Sequence, residues 1–503
     1  MAEIKEEGDL MQKLISLCKR RGFIYQSSEI YGGLKSCYDY GPMGVELKRN
    51  IMSEWWRAMV HEREDVVGLD ASIIMHPKVW HASGHASGFS DPLVDCYSCK
   101  NRFRADKAPT VEPGSEITYK DAKGLMKKGI AAKGYVCPQC GGVELSGERA
   151  FNLMFRTTLG SLDPISLLAE KLSGKAHSVQ EIRELIKETV EPSQVFLRPE
   201  TAQAMFVQFA NIQQSMSLKV PFGIAQMGKS FRNEITVEHY VFRSCEFEQM
   251  EMEYFCKPGT QGACIDYWKE ERLKWYRSFA NSGEAFRLRK HDKEELAHYA
   301  DDCYDVEYLY PWGWDELEGV ASRTDYDLKK HSEASGQKLT YFDQQEPDPE
   351  TGKPGYRYTP YVVEPAAGAT RAVLVYLLDA YTEEKGVDAK GEEKTRVVLK
   401  LHPRLAPIKV AVLPLVRKDG MPEMARDLVA RFREKGILAS YDENTSIGKR
   451  YARHDEVGTP YCLTVDNQSL EDRTLTLRDR DTTAQERIHF DEAVGRIQAR
   501  LAK

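Results

Sequence analysis

Between Phe222 and Phe255 two strand-like runs flank a polar turn around Thr236 to His239, and the residues they carry suit a core poorly. Alternate residues of a strand share a face. The first run, P-F-G-I-A-Q-M-G-K-S-F-R-N-E from Pro221 to Glu234, therefore points Arg232 and Glu234 the same way. On the returning run Phe247, Gln249, Glu251 and Glu253 take one face, and Met250, Met252 and Tyr254 the other. Such a polar face suits a purine nucleotide such as ATP. The ring of Phe247 can stack on a base, Glu234 can reach an exocyclic amine and Arg232 can neutralise a phosphate. An exposed hairpin with cross-strand ion pairs accounts for the same residues equally well.

Two more segments carry charge where a core would not want it. Tyr361 to Tyr381 reads as an apolar strand reaching Glu364, a turn through Pro365 and Gly368, and an apolar helix with Arg371 in its first turn. A helix N-terminus attracts anions, and an arginine there strengthens the effect; a solvated arginine is the plainer reading. In L-R-P-E-T-A-Q-A-M-F, Leu197 to Phe206, Glu200 follows a proline and precedes a helix, as an acidic first turn does.

The chain has 503 residues, which implies roughly two to four domains. The acidic stretch Met1 to Gly8 lacks the apolar run of a signal peptide, and no stretch approaches membrane-spanning length. The expected location is cytoplasmic. The net charge of −7 speaks against a general nucleic-acid binder, so any such role must rest on local features. Helices are expected at 10–21, at Gly44 to Val60 behind Pro42, and at 178–190. Residues 90–150 form a separate polar module, within which Pro113 to Gly134 reads as an insertion and not as core. Asp343 to Gly355, with three prolines, reads as loop. From Ala406 the texture becomes that of a compact α/β domain. Strands are expected at Lys409 to Leu415, Ile437 to Tyr441, Tyr461 to Val465 and Thr474 to Leu477, and helices at Glu423 to Lys435 and Phe490 to Leu501.

Of 11 cysteines, four form the pairs Cys96/Cys99 and Cys137/Cys140, with 37 residues between Cys99 and Cys137. Two C-x-x-C knuckles make a closed four-thiolate site, the pattern of structural zinc; free thiols are the alternative. The remaining scattered cysteines read as reduced thiols.

Taken together, these segments resemble the class II aminoacyl-tRNA synthetases, and within them the homodimeric glycyl-tRNA synthetases. F-R-N-E at Phe231 to Glu234 resembles motif 2, G-A-T-R at Gly368 to Arg371 motif 3, and Y-D-Y-G-P at Tyr38 to Pro42 motif 1. E-I-Y-G-G-L at Glu29 to Leu34, L-R-P-E-T-A-Q at Leu197 to Gln203, F-E-Q-M-E at Phe247 to Glu251 and R-T-D-Y-D-L at Arg323 to Leu328 narrow the likeness to glycine. The resemblance implies a catalytic domain at 1–400, an antiparallel sheet flanked by helices in a mixed α/β (α+β) chain, with motif 1 at a homodimer interface. It also implies an anticodon-binding α/β domain at 406–503, where S-I-G-K-R-Y-A-R (Ser446 to Arg453) and L-R-D-R-D (Leu477 to Asp481) match.

The resemblance further implies a ligase that activates glycine with ATP and magnesium and transfers it to tRNA. Arg232 and Arg371 would be catalytic. Asn233, Glu234, Phe242, Phe247, Glu316, Leu317 and Gly368 would join them around ATP. Arg104, Glu200, Phe247, Glu248, Gln249, Met250, Glu251, Glu364 and Gly368 would surround glycine. The last domain is nearly neutral, 17 Lys and Arg against 16 Asp and Glu, so its cluster Lys449, Arg450 and Arg453 is either a solvated face or the tRNA contact. Two positions depart from the family pattern: Ala366 where E-P-S is expected, and Cys245 where an arginine is expected. Other readings are a non-catalytic relative and a ligase for another amino acid or acceptor.

Overall fold

The hairpin forms, and five further strands join it in the computed structural model of the chain, which describes residues 2–161, 163–174, 176–235, 239–297, 299–387, 393–418 and 420–502. Thr236 to Glu238 of the expected polar turn lie outside the described residues. In chain order the elements that build the site are α1 (Ala2–Arg21), α2 (Pro42–Trp56), β1 (Val66–Leu69), α3 (Ala202–Ser215), β2 (Phe222–Phe231), β3 (Glu246–Cys256), α4 (Gln261–Arg277), β4 (Phe286–Lys290), β5 (Asp302–Tyr310), β6 (Gly313–Thr324), α5 (Tyr326–Ser335), β7 (Tyr361–Gly368) and α6 (Ala369–Ala380). The sheet runs β4-β5-β6-β7-β3-β2-β1. Every neighbouring pair is antiparallel except β1 with β2.

One face of this sheet is dry. Met250, Met252, Tyr254, Val320 and Val363 meet Trp268 and Tyr276 of α4 and the apolar α6 in the main core, with Leu47, Ile51 and Trp55 of α2. Burying a large apolar side chain is worth about 1.5–3 kcal/mol, so this layer fixes which face of β3 looks away from it. One ion pair crosses the layer: Arg272 of α4 is bonded to Glu318 of β6 at 2.7 and 3.1 Å, both fully buried. On the opposite face α3 covers one end, packing Phe206 and Phe209 on Phe222 and Phe255. The rest of that face is left open.

α2 starts at Pro42, two residues earlier than expected, because proline at the first helical position loses no hydrogen bond. Gly44 lies inside it; a Cβ there would stand 1.8 Å from the carbonyl oxygen of Phe23. The α-helix ends at Trp56 and a wider π turn, Arg57–His61, completes the stretch expected to reach Val60. The expected helix at 178–190 runs Val179–Thr189 behind a reciprocal Ser178–Glu181 capping box. Asp343 to Gly355 is not loop throughout: strands Tyr341–Pro347 and Pro354–Tyr358 pair across it, anchored by Tyr341 against Tyr358. Pro347 and Pro354 sit at strand ends, where a missing N–H costs nothing, and Pro349 lies in the turn between them. Pro113 to Gly134 likewise holds a hairpin, Glu116–Lys120 with Met126–Ile130.

Beyond residue 406 a second sheet has its own core. Its elements are β8 (Val410–Pro414), α7 (Met421–Glu434), β9 (Ala439–Tyr441), α8 (Ile447–Glu456), β10 (Tyr461–Val465), α9 (Asn467–Asp472), β11 (Thr474–Asp479), β12 (Gln485–His489) and α10 (Ala493–Leu501). The order is β9-β8-β10-β11-β12, parallel on the β9 side of β10 and antiparallel beyond it. Sequence reading missed α8, α9 and β12. Phe490 to Glu492, expected as helix, is a 3-10 turn leading into α10. Among the described residues no helix is long and apolar enough to cross a membrane.

Candidate active site

The open face of the sheet holds a cavity of about 390 Å³. Its floor is written in cross-strand rungs. Gly319 of β6 stands opposite Ala366 of β7, and Ala366 opposite Glu251 of β3; Gly368 stands opposite Gln249. The small residues leave space above the sheet, and the polar ones project into it. Phe247, Gln249 and Glu251 line the cavity while Met250 lies in the core behind, as the period of two requires.

Arg232 and Glu234 line the cavity from beyond the end of β2, not from within a strand: β2 stops at Phe231, and Arg232 is tied to Cys245 by one backbone bond of 2.9 Å. The Arg232 guanidinium stands 5.3 Å from the Phe247 ring and donates to the Pro199 carbonyl at 3.1 Å. It is thereby held between the aromatic platform and the loop that carries Glu200. That loop is fastened by Arg198, which is buried and donates to the carbonyls of Lys229 and Ala71 at 2.7 and 2.9 Å. Gly228 makes room for it, since a Cβ there would meet Arg198 Nη2 at 2.3 Å.

Opposite Arg232, Arg371 projects from the first turn of α6, donates to the carbonyls of Phe242 and Glu316 and lies 4.5 Å over the Phe242 ring. Its Nη1 is 3.2 Å from Glu316 Oε2, and that guanidinium holds the Glu316 carboxyl below its usual range. Phe242, Glu316, Gly368 and Arg371 all line the cavity. The deeper end is acidic. Glu200, Glu251 and Glu364 line it together with Arg323. Arg323 is buried; it binds Glu364 at 3.0 Å and grips Asp327 through two bonds of 2.9 and 3.1 Å. Glu251 accepts from the Thr201 amide at 3.0 Å and from the Thr201 hydroxyl. Burial, and then the neighbouring Glu364 and Glu200, push Glu251 up to about 8. Burial also raises Glu364, against the pull of Arg323. Glu200 goes the other way: burial works against its charge, but His85 and Arg323 beside it hold its carboxyl well below the usual range.

Several expected residues lie elsewhere. Leu317 and Met250 belong to the core on the far face of the sheet. Glu248 alternates away from the cavity and pairs with Lys48 of α2. Asn233 is fixed by its backbone to Leu153 and is not part of the lining. Arg104 is bonded to Asp91 and Asp106 within the cysteine module, outside the cavity. Arg450 is a structural residue: it is buried and donates to the carbonyls of Pro414, Asp442 and Leu415. Of the predicted tRNA cluster only Lys449 and Arg453 reach the surface, Arg453 beside Asp442 at 2.7 Å.

The cavity also holds residues that sequence reading left out. Arg243 lines it, with Nε 3.9 Å from Glu234, so a guanidinium is present two residues before Cys245, whose own thiol points to the Glu234 carbonyl. Arg323, quoted in the R-T-D-Y-D-L run but given no place in the site, follows from strand period, since Gly319, Ala321 and Arg323 alternate along β6. His85, 3.3 Å from Glu200, comes from a short helical turn with no periodic signal.

In the polar module the four cysteine sulfurs lie within 4.8 Å of one another, with Cys96–Cys140 at 3.7 Å and Cys99–Cys137 at 3.6 Å. The edge of a tetrahedron with metal–sulfur bonds of about 2.3 Å is ~3.8 Å, so the set fits one tetrahedral ion. Lys100 and Gly141, with φ of 64° and 69°, close the two knuckles.

A model of the anticodon binding domain matches residues 409–500. Over 98% of its length the chain is 47% identical to the glycine–tRNA ligase of Treponema denticola, covering 97% of that protein. The chain belongs to the glycine–tRNA ligase family. The glycine–tRNA ligase of Thermobifida fusca is 46% identical over 99% of both chains. The prolyl-tRNA synthetase of Cryptosporidium parvum, solved with L-proline and AMP, has the same class II fold: TM-score 0.57, 13% identity, 97% of this chain and 77% of that one. The antiparallel sheet flanked by helices and the C-terminal anticodon-binding unit are thus features this family member shares with class II synthetases.

Proposed function

We propose that the chain condenses glycine with ATP to glycyl-adenylate and passes the glycyl group to the 3′ end of tRNA. The observation that carries this reading is the two-ended cavity. Arg232, Arg371, Glu234 and Phe247 suit a nucleotide at one end, and Glu200, Glu251 and Glu364 suit a small ammonium at the other.

Adenine stacks on Phe247 with its amine toward Glu234. Arg232 takes the α-phosphate and Arg371 the distal phosphates. A glycine carboxylate oxygen attacks the α-phosphorus in line; the bond to the β-phosphate breaks and pyrophosphate leaves with the electron pair. The carboxylate is already a nucleophile, so positioning and charge stabilisation do the work. A tRNA ribose hydroxyl then attacks the activated carbonyl, and AMP departs. Magnesium held with the phosphates beside Glu316 would supply further charge neutralisation. Exclusion of a side chain by the acidic end would select glycine, whereas a permissive pocket gains only about 1–3 kcal/mol per methylene. Zinc held by Cys96, Cys99, Cys137 and Cys140 would be structural. A homodimer through the α2 region and tRNA contact through Lys449 and Arg453 complete the proposal. The test is charging: with ATP, labelled glycine and tRNA, label becomes acid-precipitable in a manner abolished by Arg232→Ala. Label incorporation that survives that substitution contradicts the assignment.

A further inference from the structure

The run R-T-D-Y-D-L, which the site uses only through Arg323, continues along α5 to His331. Asp327 and His331 stand four residues apart and face the same neighbour, Gln203. Gln203 is fully buried at the start of α3. Its amide nitrogen donates to Glu200 at 3.0 Å and to Asp327 at 2.9 Å, and its oxygen faces His331 Nε2 at 2.7 Å. Turning the amide over would set its oxygen against two carboxylates, so the orientation is decided by charge. In that orientation the Gln203 oxygen needs a donor, and His331 Nε2–H provides it. Glu200 in turn has two side-chain partners, His85 on one oxygen and Gln203 on the other. The plane of its carboxylate therefore depends on both.

We propose that His331 is a positioning residue for the amino acid: through Gln203 it holds Glu200 in the orientation that receives the substrate ammonium. The proposal rests on the reading of Glu200 given above. His331 lies outside the reaction cavity. It lines a separate hollow of about 360 Å³ with His76, Lys78 and Val207. A replacement side chain can therefore extend toward that hollow without refilling the substrate site. Burial keeps the imidazole below its usual pKa, consistent with a neutral ring carrying its proton on Nε2.

The test is ATP–pyrophosphate exchange with glycine and ATP varied in turn, on the full chain. His331→Leu removes the donor, and His331→Gln returns an N–H at nearly the same distance. One lost buried hydrogen bond predicts a KM for glycine raised about tenfold in His331→Leu, with kcat and the KM for ATP within about twofold. His331→Gln should bring the glycine KM back to within about threefold of the parent. In a Glu200→Gln background, His331→Leu should add less than about twofold, because the two residues act as one unit. Equal change in all parameters, failure of His331→Gln to rescue, or additive effects with Glu200→Gln each overturn the positioning role. If Glu200→Gln alone leaves the glycine KM unmoved, the assignment of Glu200 fails first, independently of His331.

Discussion

Glu251 offers a perturbation whose sign is set by its surroundings. The carboxyl is 2% exposed, shares its cavity end with Glu200 and Glu364, and ionises near 8 when an ordinary glutamate ionises at 4.5. A pKa raised by folding means that the stability contributed by this group is full below about 4.5 and is lost as pH rises to about 8. At about 1.4 kcal/mol per tenfold, the loss above pH 8 is on the order of 5 kcal/mol, an upper bound because the acidic residues titrate as a set. Glu251→Gln cannot ionise, so its melting temperature relative to the parent should climb between pH 6 and pH 9 by several degrees. The same substitution should raise the glycine KM at least tenfold at pH 8, since it deletes one carboxylate from the ammonium site. In the parent, the glycine KM should fall as pH rises through 8. Thermal shift curves across this range, with exchange kinetics at each pH, check both. Parallel melting curves for parent and variant would refute the reasoning, because they would mean that Glu251 is not held neutral in the folded chain.

Glu318→Ala strands the buried Arg272 guanidinium and should cost about 3–5 kcal/mol in denaturant unfolding, whereas Arg272→Met/Glu318→Leu should recover most of it. Arg371→Ala should lower exchange by about 10²–10³ with little change in melting, because its charge matters chiefly to the developing phosphate. Metal analysis should find one zinc per chain, lost together with thermal stability in Cys137→Ser. Lys449→Ala/Arg453→Ala should weaken tRNA charging and its salt dependence while sparing exchange, and Arg450→Ala should instead lower melting by removing the donor to the buried carbonyls of Pro414 and Asp442.

The sequence revealed most where one physical rule acts alone. Alternation along β3 separated Phe247, Gln249 and Glu251 from Met250 and Met252, and the structure keeps that division. The same rule turns the side chain of Glu248, which resemblance places in the glycine site, toward Lys48. Leu317 turns its side chain into the core for a related reason: the register shift where β5 meets β6, between Val306 and Glu307, breaks simple alternation there. The Arg450 guanidinium meets carbonyls, a placement hidden in the sequence because charge clusters on a helix look alike there whether they meet water or carbonyls. His85 and His331 come from helical segments far from Glu200 in the chain, and reach Glu200 and Gln203 only through tertiary packing, so no local pattern announces them. The hairpin across Asp343 to Gly355 was hidden by prolines, which mark strand ends as readily as loops.

The most direct test of the central claim is ATP–pyrophosphate exchange by the purified, magnesium-replete protein with each of the twenty amino acids in turn. The account predicts exchange with glycine alone. Exchange with a larger amino acid, or with none, would contradict the two-ended reading of the cavity.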